Sequence, residues 1–194
     1  RKSIELNPNI FTSHFLLGNI FIGQKKLQEA EQPFRKAIQL NPDFAQAHSS
    51  LGIILSDLGK LQEAEVSTRK AIELNPNYAI AHANLGTILK DLGKLQEAEV
   101  STRKAIELNP NFADAHLNLG TILIDLGNLQ EAEVFTRKAI ELNPNFADAH
   151  ANLGIIFKEL GNLQEAEVST RKAIELNPNL FNSHFLLGSI LLGQ

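Results

Sequence analysis

The sequence has 194 residues, 43% of them apolar, with 18 Lys plus Arg against 22 Asp plus Glu and a formal net charge of -4. That apolar share is ordinary for folded protein, and the acidic balance argues against a nucleic-acid partner, whose binding module carries a basic face. With no cysteine, disulfides and thiolate metal sites are excluded, and no apolar run approaches the roughly 18 residues needed to span a bilayer.

Length alone suggests one or two globular domains. A fixed period overrides it. The Asn-Pro pair returns at Asn7, Asn41, Asn75, Asn109, Asn143 and Asn177, always thirty-four residues apart, and His14, His48, His82, His116, His150 and His184 keep the same step. Such a period signals a repeat array, in which each unit buries its surface against its neighbours.

In chain order, Arg1 to Leu6 (RKSIEL) match the end of a recurring unit (Arg103 to Leu108, RKAIEL), so the chain enters partway along a helix. The sequence opens at Arg1 rather than Met, and no signal-peptide pattern is read within it. It is expected to be an excerpt of a longer cytoplasmic protein, with no membrane partner.

The first full repeat, residues 7–40, is irregular. Lys25 stands where the others have Gly59, Gly93, Gly127 and Gly161, and Pro33 falls inside the second helix. A proline there removes a hydrogen bond and clashes with the preceding turn, at about 3 kcal/mol, so a kink or a loosened helix is expected.

Residues 41–74, 75–108, 109–142 and 143–176 are four regular repeats, each read as two helices. In the third repeat Ala81, Leu85, Ile88, Leu89 and Leu92 recur at three- and four-residue steps, the pattern of an amphipathic helix. Asn77 is the expected N-cap, and Asp43 with Gln46 has capping-box spacing. Gly93 supplies the left-handed residue that ends the helix. The second helix turns Leu95, Ala98, Ala105, Ile106 and Leu108 inward, with acidic residues in its first turn and Arg103 and Lys104 in its last, as the helix dipole favours. Asn109-Pro110 then stops it. Residues 177–194 form a half repeat, and Arg171 to Gln194 closely copies Arg1 to Gln24, sharing SHFLLG.

Thirty-four residues, a helix-turn-helix, a Leu-Gly pair, small residues at Ala98 and Ala105 and a closing Pro110 resemble the tetratricopeptide repeat (TPR) family along the whole chain. The resemblance implies an all-α, right-handed superhelix of antiparallel helix pairs, here a single array over residues 1–194. It also implies that the first helices line a concave surface binding extended peptides or partner proteins. Two columns depart from the family: His48, His82, His116 and His150 replace an aromatic early in the first helix. Thr68, Thr102, Thr136 and Thr170 replace an aromatic in the second, which Phe34 alone keeps. Looser packing between helices is expected from the second change.

The second helices are nearly constant and read as structural. Variation collects on one face of the first helices: Ser49, Ala83, Leu117 and Ala151; Ile53, Thr87, Thr121 and Ile155; Ser56, Lys90, Ile124 and Lys158. These columns are candidate ligand contacts, with free surface drift the competing explanation. Asn84, Asn118 and Asn152 share one slot before the Leu-Gly pair. A carboxamide both donates and accepts, so a row of them suits a peptide main chain. The row is similar to the asparagine ladder in the TPR superhelix of O-GlcNAc transferases. It stops at Ser50, and Leu16 and Leu186 take the slot at the ends.

The histidines cannot share a metal. Stacked helices lie ~8–10 Å apart, whereas zinc ligands sit ~2 Å from one ion. No catalytic constellation or phosphate loop is present, and apart from Asn19 the carboxylate-clamp pattern of the TPR family is missing. At the ends the columns turn apolar, with Phe15, Leu16 and Ile22 in the first repeat and Phe185, Leu186 and Leu192 in the last. Such patches mark contacts.

The expectation is therefore a non-catalytic scaffold without cofactor or metal, binding a protein or peptide. Alternatives are the binding arm of a larger enzyme such as a glycosyltransferase, or an array that self-associates head to tail through its C-terminal end. There Leu187, Ile190 and Leu191 are expected to stay partly open.

Overall fold

A computed structural model of the protein describes residues 10–193. The expected helix tail at Arg1 to Leu6 and the first Asn-Pro pair at Asn7 lie outside the described residues, as does Gln194. The described residues form eleven helices and no strand: α1 (Phe11–Gly23), α2 (Leu27–Leu40), α3 (Ala45–Asp57), α4 (Leu61–Leu74), α5 (Ala79–Asp91), α6 (Leu95–Leu108), α7 (Ala113–Asp125), α8 (Leu129–Leu142), α9 (Ala147–Glu159), α10 (Leu163–Leu176) and α11 (Phe181–Leu191). Odd-numbered helices are the first and even-numbered the second of each repeat.

The chain divides into two compact units, residues 1–94 and 95–194. In the first, α1 packs on α2, α3 on α4, and α3 and α5 also pack on the helices before them. In the second, α7 packs on α8 and α9 on α10, α7 and α9 also rest on the preceding second helices, and α11 closes on α9 and α10. Within each unit the first helices form one layer and the second helices another, with the core between them.

The turns follow from local chemistry. In the third repeat Gly93 takes φ +74, and the Lys94 amide donates to the Leu89 carbonyl at 2.8 Å while the Gly93 amide donates to Lys90 at 2.9 Å. This closes the helix in the Schellman manner. Lys25 takes the same left-handed conformation at φ 58 in the first repeat, so the backbone keeps the turn although the side chain opposes it.

At each described Asn-Pro the asparagine side chain organises the loop: the Asn77 amide donates to Asn75 Oδ1 at 3.2 Å, and the Asp43 amide to Asn41 Oδ1 at 3.3 Å. The N-caps are accordingly Phe44, Tyr78, Phe112 and Phe146, none with a side-chain cap bond, rather than Asp43 and Asn77. Backbone amides alone satisfy the start, as with Ala81 donating to the Tyr78 carbonyl at 3.0 Å. The capping positions are one residue later than expected because the asparagine before proline already engages the loop amide.

Helix α2 runs unbroken through Pro33, which is buried. The hydrogen bond it lacks would have reached the carbonyl of Glu29, an exposed residue, so the helix continues instead of breaking.

The core lies where the two layers meet. In the first unit Phe21, Phe34, Leu51, Ile54 and Leu55 are buried together with Ala30 and Ala64. Thr68 and Thr136 are fully buried, and each faces the glycine of its Leu-Gly pair: a Cβ on Gly120 would lie 2.5 Å from Thr136 Oγ1. Packing at this contact is close, not looser. The threonine fills the space left by a residue with no side chain, where Phe34 lies against Gly18 in the first repeat, 2.7 Å from such a Cβ.

Candidate functional site

The histidine column is structural. Nε2 of His48, His82 and His116 lies 2.9 Å from the carbonyl of Pro42, Pro76 and Pro110, and that of His150 lies 3.1 Å from Pro144. Each imidazole ties its first helix to the loop that precedes it. Among the described residues no cluster of three metal-ligating side chains occurs.

The asparagine slot is half-buried. In the first unit, Asn84 donates its amide Nδ2–H to Ser49 Oγ on α3 at 3.2 Å. The hydroxyl of Tyr78 bonds the same serine, and burial raises the Tyr78 pKa while that bond opposes the rise. In the second unit, Asn152 donates to Thr121 Oγ1 on α7 at 2.8 Å. The Thr121 hydroxyl in turn donates to the Leu117 carbonyl at 3.1 Å. Its only proton is thereby committed, so it accepts from Asn152, and the carboxamide oxygen is turned away from it. Asn118 is half-buried and engaged in an interaction of its own.

The remaining candidates divide by exposure. Thr87 is half-buried with its hydroxyl 3.4 Å from the Ala83 carbonyl; Lys90 pairs with Asp91 at 3.5 Å, and Lys158 is half-buried. Leu117 is covered by Ala139 and Ala149, and Ile124 rests against the core around Leu119 and Leu123. At the ends, Phe15 and Ile22 pack on the first core, and Phe15 meets Phe34 and Phe44 edge-on at 5.7 and 4.9 Å. Leu16, Phe185 and Leu192 are exposed, while Leu186 leans on the last core. Ile190 is fully buried against Leu153, Phe157 and Ala166, contrary to the expectation that it stays open, because it turns toward α9 and α10.

In each unit the second helices hold what sequence reasoning passed over. Val66, Val100, Val134 and Val168 are identical and strongly exposed. In the first unit a groove of about 710 Å³ opens between α2, α3 and α4, lined by Ile38, Leu51, Leu55 and Val66 with Arg35, His48 and Ser67 around them. Its counterpart in the second unit, lined by Ile140, Leu153 and Val168 with Arg137, His150 and Ser169, measures about 500 Å³. The readable signal was a constant apolar residue on the helix face turned away from Ala98 and Ala105.

Ion pairs lace this surface. Arg35 bonds Glu31 at 2.9 Å and Glu63, on the next second helix, at 2.7 Å; Lys60 reaches Glu31 at 2.9 Å. The Lys60 bond, reinforced by Arg35 and opposed by burial, holds the Glu31 carboxyl below the usual range; Lys94 and Arg69 do the same for Glu65.

The helix pairs and their close Gly–Thr and Ala contacts define a TPR-type repeat protein. Residues 74–176, just over half the chain, match the family described as the cilia and flagella-associated protein 70 middle TPR-like domain. Residues 45–78 match the tetratricopeptide repeat and residues 18–59 a further TPR repeat family. The chain belongs to the tetratricopeptide repeat family.

Among solved structures, it is similar to YrrB, described as a TPR protein with an unusual peptide-binding site (26% identity, 95% of each chain covered, TM-score 0.70). It is also similar to MamA, at 25% identity over 83% of this chain and 94% of that one, TM-score 0.71. A thermophilic TPR protein of Thermus thermophilus shares the fold at 22% identity, with 94% and 99% covered and a TM-score of 0.77. No curated protein sequence matches the chain. The fold is that of protein-interaction scaffolds in general. No helix among the described residues is long and apolar enough to cross a membrane.

Proposed function

We propose that the chain is a non-catalytic scaffold, a single array of repeats that grips an extended peptide segment along its first-helix surface. The observation that carries this reading is the anchoring of Asn84 and Asn152, each held through its amide nitrogen by a hydroxyl of the preceding repeat. Fixed in this way, a carboxamide presents its oxygen to a peptide N–H without first losing rotamer freedom. In this reading Thr87, Thr121, Lys90 and Lys158 are further peptide contacts, while Leu117 is buried against Ala139 and Ala149 and Ile124 packs on the core of its own unit. The test is selection of ten-residue peptides from a random display library, followed by the triple substitution N84A/N118A/N152A. Affinity should fall by about 0.5–1.5 kcal/mol per lost hydrogen bond. Undiminished affinity with the helical content intact overturns the reading.

A second reading, head-to-tail association of copies, is favoured by the two near-identical helices. Leu16 and Ile20 of α1 are exposed where the matching Leu186 and Ile190 of α11 are covered. Phe181, Phe185 and Leu191 of α11 are exposed where the matching Phe11, Phe15 and Phe21 of α1 are covered. Each helix shows the half of one packing environment that the other fills. A contact of this kind does not close on itself. Light scattering of the 194-residue chain should show mass rising with concentration, and F181E/F185E should abolish the rise; a constant monomer mass excludes the reading.

A further inference from the structure

One position breaks the near-constancy of the second helices: Ser67, Ser101 and Ser169 share a column in which the fourth repeat carries Phe135. There the ring stacks on the His116 imidazole, with centroids 5.9 Å apart and planes 26° from parallel, and lies 5.3 Å from the Arg103 guanidinium carbon. Arg103 is held in place by Glu99 at 2.8 Å and Glu131 at 2.7 Å. His116 becomes buried under the ring, while His48 and His150 keep partial exposure.

The first unit has the same frame without the ring. Arg35 is held by Glu31 and Glu63 at 2.9 and 2.7 Å, the counterparts of Glu99 and Glu131. The His48 imidazole is fixed on the Pro42 carbonyl at 2.9 Å, as His116 is on Pro110. Ser67 stands where Phe135 stands, and the 710 Å³ groove remains, floored by Leu51 and Leu55 with Val66 as an apolar lip. A guanidinium and an imidazole held this way by other bonds are preorganised for a ring, because neither must be ordered when the ring arrives.

We propose that the groove framed by Arg35, His48 and Ser67 is a docking site for one aromatic side chain of a partner peptide, which stacks there as Phe135 does in its own repeat. The site lies on the second-helix surface and stands independently of the asparagine row. An aliphatic side chain fits the floor but engages neither the guanidinium nor the imidazole face, so the site selects phenylalanine or tyrosine over leucine. In the fourth repeat the chain's own ring takes part of the space, and the groove beside His116, Val134 and Phe135 measures about 410 Å³. In the fifth, Arg137 also lies over Phe157 at 5.4 Å, and the groove is smaller.

The test uses the 194-residue chain with labelled methyl groups and two probe peptides, Ac-Gly-Gly-Phe-Gly-Gly-NH2 and its leucine counterpart. The phenylalanine peptide should give saturable upfield shifts at the methyls of Leu51, Leu55 and Val66, and the leucine peptide weaker ones. S67F should abolish them, and F135S should bring matching shifts to Leu119 and Val134. Equal shifts with both peptides, no saturable shift, or shifts that survive S67F overturn the proposal. Should S67F not fold, R35Q decides: affinity must fall roughly two- to fivefold, the share a partly exposed cation–π contact supplies, and unchanged affinity overturns it. If the same shifts appear on concentrating the chain without peptide, a second copy is the occupant and the peptide assignment falls.

Discussion

Asn152 donates its amide Nδ2–H to Thr121 Oγ1, 2.8 Å away on the first helix of the preceding repeat. The bond does two things. It couples neighbouring repeats through side chains, and it sets which end of the carboxamide faces outward. Replacing Thr121 by valine keeps the shape and removes the acceptor. T121V and N152A should each destabilise the chain by about 0.5–1.5 kcal/mol, with a coupling energy of similar size in the double mutant. Urea unfolding of the four proteins measures it, and a coupling indistinguishable from zero shows that the bond does not link the repeats.

Gly120 and Gly188 occupy equivalent places in α7 and α11, yet only the first is crowded. A Cβ at Gly120 meets Thr136 Oγ1, whereas at Gly188 nothing lies within 4 Å. G188A should therefore stabilise by up to about 1 kcal/mol, the helix-propensity gain. G120A should destabilise by about 1–3 kcal/mol from overpacking, and T136A in the same chain should relieve it. Thermal melts that move both glycine variants in the same direction would contradict this account.

Lys25 is held at φ 58, the conformation Gly59, Gly93, Gly127 and Gly161 adopt in the other repeats. K25G should stabilise the first unit by roughly 1 kcal/mol, since glycine takes this region without steric penalty. Denaturant midpoints report the change; a lower midpoint for K25G means that the lysine side chain contributes more than the strain removes.

Pro33 occupies the column in which Ser67 donates to the His48 carbonyl at 2.9 Å. P33S restores a helical N–H and offers an equivalent hydroxyl, so stability should rise, by at most about 3 kcal/mol. Hydrogen exchange should slow in α2; exchange unchanged together with an unchanged melting temperature refutes it.

The Glu31 carboxyl titrates below its ordinary value because Lys60 and Arg35 bond the charged form. A lowered folded-state pKa means that its contribution is present above the unfolded-state pKa and lost as pH falls through the folded one. Acid should therefore weaken the first unit below about pH 4.5. K60N, which copies Asn128 and Asn162, should raise the Glu31 pKa and shrink the acid loss. NMR titration of the Glu31 side chain decides; a pKa unmoved by K60N removes Lys60 as the cause.

Much of the architecture was legible in the sequence, and the reason is the period. The helix pairs, the left-handed glycines and the coil at each described Asn-Pro depend on residues within a few positions of one another. They could be read locally and then checked against the next repeat. The histidines could be denied a metal by spacing alone, but what they do hold, the proline carbonyl six residues earlier, needed coordinates. Asn77 was read as a cap because capping rules weigh side chains near the helix start. Asn75, two residues before it, already engages the loop.

What only the tertiary structure decided concerns contacts between elements. Thr136 against Gly120 is sixteen residues apart in sequence and shows close packing where a threonine in place of the family's aromatic suggested slack. The anchoring of Asn152 by Thr121 spans thirty-one residues. Ile190 is buried and Phe185 open because only one face of α11 meets α9 and α10. Periodicity states which residues share a helix face. Which of those faces ends beside a neighbour, and which beside a groove, is set by how successive helices stack, and that depends on side-chain volumes summed over several helices.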